Sequence, residues 1–110
     1  MNLNTIIEAL NLEKMCKTQD GTIDITGVYI GDLLSLVMSK AKQGNIWLTI
    51  QTHINIVAVA DLLDLAAILV VEGMEVDNET IVKAEELGLP ILRTNISAYE
   101  AAKQLVKLEV

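Results

Sequence analysis

Gln51, Thr52 and His53 place an amide, a hydroxyl and the chain's only imidazole at three consecutive positions. They follow a short apolar run, residues 46–50, and precede a long one that starts at Ile54. A polar triplet at a strand-to-helix junction is where α/β proteins often hold a ligand, because free N–H groups at the helix N-terminus favour polar or anionic groups there. Asn55 adds a second amide one residue into the run that follows. The alternative is a well-tied turn, in which the imidazole hydrogen-bonds nearby backbone.

Three further stretches could contribute chemistry. Glu72 and Glu75 flank Gly73 after a second apolar run and could act as general bases, with a solvated surface as the plainer role. Arg93, the only arginine, precedes Thr94 and Asn95; it could clamp an anion bidentately or form a surface ion pair with a glutamate. Cys16 and His53 are the only Cys and His, too few and too far apart in sequence for a zinc site of about four such ligands. Cys16 lies in an early segment far in sequence from His53, the one imidazole that could pair with it as a base. The glycines, at 21, 27, 31, 44, 73 and 88, form neither GxxxxGK[ST] nor GxGxxG. No metal, no cofactor and no catalytic residue is expected.

These residues need a frame, and the hydrophobic pattern supplies one. "IWLTI", "AILVV" and "PILRT" are runs of buried-strand length; "INIVAVADLLDLA", "VDNETIVKAEELGLP" and "SAYEAAKQLVKL" are helix-length. The pattern predicts strands alternating with helices and a mostly parallel sheet joined by right-handed crossovers. Upstream, "NTIIEALNL" predicts a short helix opened by a Thr5–Glu8 capping box, and "EKMCKT" and "TIDITGVYIG", flanking a turn at Gln19-Asp20-Gly21, predict two strands or one irregular hairpin, with Ile23 and Ile25 alternating with polar residues in an extended segment. "DLLSLVMSKAKQG" predicts a helix with Asp32 as N-cap and Gly44 as its stop; Asp77 and Ser97, with Glu100, are read as caps of the later helices. The helix from Ile54 is apolar nearly all round, which predicts burial on more than one side. The carboxyl edge of the sheet is then built from residues 30–32, 51–55, 72–75 and 93–95.

Size and charge narrow the classes. The 110 residues, 52% hydrophobic, fit one domain over 1–110. Fifteen Asp and Glu against eight Lys and Arg, net −7, leave little basic surface for nucleic acid or an anionic membrane. No apolar run reaches the ~18 residues of a bilayer span, and the single cysteine suits a reducing cytoplasm. Trp47 and Tyr99 do not amount to a base-stacking platform.

Taken together, "DLLSLVM", "IWLTIQTHINIVAVADL", "AAILVVEG" and "KAEELGLPILRT" resemble the DRTGG domain family, in particular its small stand-alone members found beside iron-only hydrogenase and sensor-kinase genes. The likeness spans roughly residues 22–106. It implies a DRTGG-like α/β domain that tends to form homodimers. Family relatives occur fused to phosphotransacetylases, to nucleotide-sensing cystathionine-β-synthase-type (CBS) modules in a pyrophosphatase and, more distantly, to HPr kinase, always as accessory or regulatory units. The motif's Asp-Arg pair falls on Thr52-His53 and its Thr-Gly-Gly on Val71-Glu72-Gly73, so only Gly73 is retained and His53 takes the arginine's place.

The resulting expectation is a non-catalytic regulatory or interaction domain, homodimeric, serving signalling or assembly around a hydrogenase or other redox enzyme through a protein partner. The alternative is a sensor of a nucleotide or phosphorylated metabolite, with Gln51, Thr52, His53, Asn55, Glu72, Gly73, Arg93, Thr94 and Asn95 as contacts. An enzyme would need His53 as acid or base opposite Glu72 or Glu75.

Overall fold

Side chains of consecutive residues in a strand point to opposite faces, and in this chain both faces are apolar. Ile46 and Leu48 point to one side and Trp47 to the other; Ala67 and Leu69 oppose Ile68 and Val70; Leu92 opposes Ile91. A sheet of this kind is stable only when helices cover both faces. The computed structural model, which describes residues 1–110, shows how this is achieved.

In chain order the elements are α1 (Leu3–Leu10), β1 (Glu13–Lys14), β2 (Gly27–Ile30), α2 (Leu34–Lys40), β3 (Asn45–Thr49), α3 (Asn55–Leu63), β4 (Ala67–Val70), α4 (Asn78–Leu87), β5 (Ile91–Arg93) and α5 (Ala98–Lys107). The sheet runs β1-β5-β4-β3-β2, parallel from β2 to β5, with β1 antiparallel at one edge. Each crossover from β2 to β5 steps the same way across the sheet. Crossovers of one hand therefore put α2, α3 and α4 on one face, over Trp47, Ile68, Val70 and Ile91. Helices α1 and α5 cover the other, over Ile46, Leu48, Leu69 and Leu92. The single α/β domain with a mostly parallel, helix-flanked sheet is as expected.

Several local expectations are corrected. The Thr5–Glu8 box does not open α1; Asn2 does, its side chain accepting from Asn4 N at 2.8 Å. Asp32 does not cap α2, whose N-cap position is Leu33 with no side-chain bond. The Asp32 carboxylate instead accepts from Thr49 Oγ1 and Ile50 N, both at 2.9 Å, because the end of β3 offers a buried hydroxyl and a free amide. Helix α2 ends at Lys40, and Gly44 (φ +80°) serves the turn into β3, packed against Thr26. The two upstream segments give two strands and no hairpin: β1 pairs with β5 and β2 with β3, at opposite ends of the sheet, while the alternating residues 22–26 add only the isolated Asn2–Asp24 bridge before the ladder starts at Gly27.

Other expectations hold. Gly88 ends α4 in the left-handed region, and Ser97 Oγ accepts from Glu100 N at 3.1 Å to cap α5. Helix α3 buries Ile56, Val57 and Ala60 completely, while Leu62 on its outer side is 70% exposed. Within one chain α3 is thus covered on the sheet side and between α2 and α4, with its back open.

Trp47 is the largest fully buried side chain, and its Nε1–H donates to Gly31 O at 2.8 Å, tying the end of β2 to the middle of β3. Replacing it with Phe removes the donor and leaves a carbonyl unsatisfied. Trp47→Phe is expected to cost about 1–3 kcal/mol in urea denaturation, with the fold retained by circular dichroism.

Candidate functional site

Four parallel strands end at one edge, so the loops after β2, β3, β4 and β5 stand side by side there. Within that row the expected residues divide into separate pairings.

Gln51 belongs with the β2–α2 loop: its Nε2 donates to Asp32 O at 3.0 Å and its backbone N–H to Thr49 Oγ1 at 3.1 Å. Thr52 is buried, and its carbonyl accepts the Thr80 hydroxyl at 2.8 Å, clamping the β3–α3 loop onto α4. His53 projects into solvent beside that clamp. Its Nδ1 lies 2.6 Å from Asp77 Oδ2, with the imidazole 71% and the carboxylate 40% exposed. Asp77 sits at the N-cap position of α4 but makes no side-chain cap bond; only its carbonyl serves the helix, accepting from Thr80 N and Ile81 N. Its cap role is therefore corrected, since the carboxylate is taken by His53. Sequence spacing gave no sign of this pair, because 24 residues and two elements separate its members.

The hydrogen bond to Asp77, and then the Asp77 charge, raise the His53 pKa above its usual value; Glu79 adds to this and slight burial opposes it. Neither Glu72 nor Glu75 bonds to His53, so the acid–base partners an enzyme was expected to use are not assembled.

Glu72 and Gly73 are both left-handed, at φ +63° and +67°. Their N–H groups donate at 2.9 Å to Ile96 O and Thr94 O, and this turn joins the β4–α4 loop to the β5–α5 loop. A Cβ on Gly73 would come within 2.9 Å of Asn95 Oδ1. The positive φ favours glycine there, and a Cβ would also push the Asn95 side chain aside, which gives the one retained motif residue a structural reason. At the preceding position Glu72 bears the strain of a non-glycine left-handed residue.

Arg93 is used inside this same junction. Its Nε donates to Met74 O at 2.8 Å, Nη2 to Gly73 O at 2.7 Å, and Nη1 pairs with Glu13 Oε1 at 3.1 Å. The guanidinium thus braces the β4–α4 loop against β1, the ion pair with a glutamate having been one of its two expected uses. With Thr94, Asn95, Asn11 and Glu13, Arg93 also lines a polar hollow of about 260 Å³ at the end of β5. Asn55 lines a different space, an apolar groove of about 620 Å³ between α3 and α4 with Ile54, Leu62, Lys83 and Leu87. A third hollow, of about 500 Å³, lies at the opposite edge of the sheet among Asp24, Thr26, Gln43, Asp61 and Asp64. None of these hollows is lined by Thr52 or His53, nor by Glu72 or Gly73, so none of them lies between the two motif loops. Cys16 is buried, and burial pushes its thiol pKa up, away from nucleophilic use.

Gly73→Ala is expected to destabilise by about 1–3 kcal/mol, whereas Glu72→Gly should be neutral or stabilising; urea midpoints of the two variants check the opposite signs. A group whose folded pKa is raised stabilises fully below its unfolded pKa, ~6.5 for histidine, and loses that contribution as pH rises through the folded value. An NMR titration of the lone imidazole should give a midpoint above ~6.5 that returns towards ~6.5 in Asp77→Asn. The stability difference between wild type and Asp77→Asn should shrink across the same range.

No family model matches the sequence, and no curated protein matches it. Among solved structures it is similar to the CBS and DRTGG domains of the regulatory region of Clostridium perfringens pyrophosphatase, complexed with the activator diadenosine tetraphosphate. The TM-score is 0.75 at 17% identity over 96% of this chain, which spans 46% of that one. The chain is thus an α/β domain of DRTGG-like fold.

Proposed function

We propose that this protein is a non-catalytic regulatory or interaction domain that works as a homodimer. The observation carrying this reading is the flank formed by β2 and α2. Leu33 is 62% exposed, and Ile30, Leu36, Met38 and Ile50 are exposed around it. A group of exposed apolar side chains on one flank of an acidic chain supports a protein contact there. The fold similarity to part of a pyrophosphatase regulatory region agrees with an accessory role. The resemblance to stand-alone DRTGG members directs the proposal to signalling or assembly around a hydrogenase or other redox enzyme in the cytoplasm.

A second reading rests on the hollow beside Arg93, Thr94 and Asn95, which has polar walls and the N-terminus of α5 close by. It could take a small nucleotide-like ligand, and the neighbour's nucleotide activator supports testing that class first. The net charge of −7 favours ligands with few phosphates.

Light scattering on a size-exclusion eluate at tens of micromolar should give twice the chain mass, and a monomer would contradict the first reading. In thermal-shift screening, a nucleotide at ~100 times its dissociation constant should add about 2.7 kcal/mol of stability if the second reading holds, and Asn95→Ala should remove the effect.

A further inference from the structure

The two edges of the sheet are built differently. One ends in β1, two residues long and both charged, Glu13 and Lys14. Short length and charge are the usual protection of an edge whose unpaired N–H and C=O groups would otherwise recruit another strand. The opposite edge, β2, reads Gly27-Val28-Tyr29-Ile30 and has neither charge nor proline.

Hydrogen-bond alternation identifies the free groups on that edge. Gly31 N donates to Leu48 O at 3.1 Å, so in the parallel ladder Gly27, Tyr29 and Gly31 face β3. Val28 and Ile30 then direct their N–H and C=O groups away from the sheet. No bond from any turn or loop reaches them.

The charge distribution selects the occupant. Of the fifteen acidic residues only Asp32 lies between residues 25 and 60, and its carboxylate is engaged by Thr49 Oγ1 and Ile50 N. The β2–α2 flank otherwise carries Lys40 and Lys42. Two chains of net charge −7 repel over most of their surfaces, and this flank is where a second copy meets the fewest like charges.

We infer that β2 pairs with β2 of a second copy, antiparallel, about a two-fold axis through Tyr29; this rests on the homodimer reading above. Val28 faces Ile30 of the second copy and Ile30 faces its Val28, giving about four interchain hydrogen bonds, while the Tyr29 backbones approach as the non-hydrogen-bonded pair. The sheet becomes continuous across the dimer. Exposed Ile30, Leu33 and Leu36 are carried to its seam.

Ile30→Pro tests this directly, because it removes an N–H that the monomer does not use and proline is tolerated on a strand edge facing solvent. The full chain carrying Ile30→Pro should keep its circular dichroism and raise the dimer dissociation constant on the order of a hundredfold in sedimentation equilibrium. Independently, Tyr29→Cys in a Cys16→Ser background should form a disulfide-linked dimer on mild oxidation, since cross-strand Cβ atoms at such a pair lie near disulfide range. Val106→Cys, on α5 and 72% exposed, should not. A wild-type monomer would overturn the homodimer reading and this inference together. A dimer that persists undiminished in folded Ile30→Pro, or a folded dimer in which Tyr29→Cys does not cross-link, would overturn the strand pairing alone.

Discussion

The structure depends on the pairing of β2, β3, β4 and β5 into a parallel ladder buried on both faces. Parallel strands cannot be joined by tight turns, so each link is a crossover helix, and a common hand stacks all three on one face. Covering the other face falls to the ends of the chain. Helix α1 arrives with Leu3, Ile6 and Leu10, and α5 with Ala101 and Leu105. Removing apolar surface from water on both sides is the dominant favourable term, at about 25 cal/mol per Å². It also explains why 110 residues without phenylalanine suffice: Ile, Leu, Val and Ala tile two thin layers around one central Trp47.

The same topology sets what the functional edge can be. Because strand order from β2 to β5 follows chain order, there is no reversal of direction within the parallel part and hence none of the crevice that such a reversal opens. The loops instead close on one another. Thr52 O is tied to Thr80, Glu72 and Gly73 to Ile96 and Thr94, and Arg93 to Gly73 and Met74. The His53–Asp77 pair and the polar hollow beside Arg93 are among the features left open to solvent there.

Much of this was legible in the sequence. The strand-length apolar runs and the Gly88 and Ser97 signals located β3 to α5, because periodicity and capping are local properties. The alternation of strand-length and helix-length runs predicted a mostly parallel sheet, the resemblance to DRTGG domains implied the same architecture, and the fold comparison supports it. Misplaced features were those decided by distant partners. Asp32 and Asp77 have the residue type and position of caps, yet Thr49 and His53, brought close only by the assembled sheet, take their carboxylates. Residues 13–14 pair with a strand some eighty positions on, which no local pattern announces. The candidate residues fall in a row along the carboxyl ends of the strands, but their division among separate pairings depends on side-chain geometry that spacing does not encode.

The proposed homodimer requires the β2–α2 flank to be the surface at which this domain meets its own copy, with the His53 loops left free. Amide hydrogen exchange across a dilution series addresses that most directly, because it reads protection residue by residue. Protection of the Val28 and Ile30 amides should rise with protein concentration while that of residues 72–79 stays constant. Concentration-independent exchange at Val28 and Ile30, or a rise confined to the loops around His53 and Asp77, would contradict it.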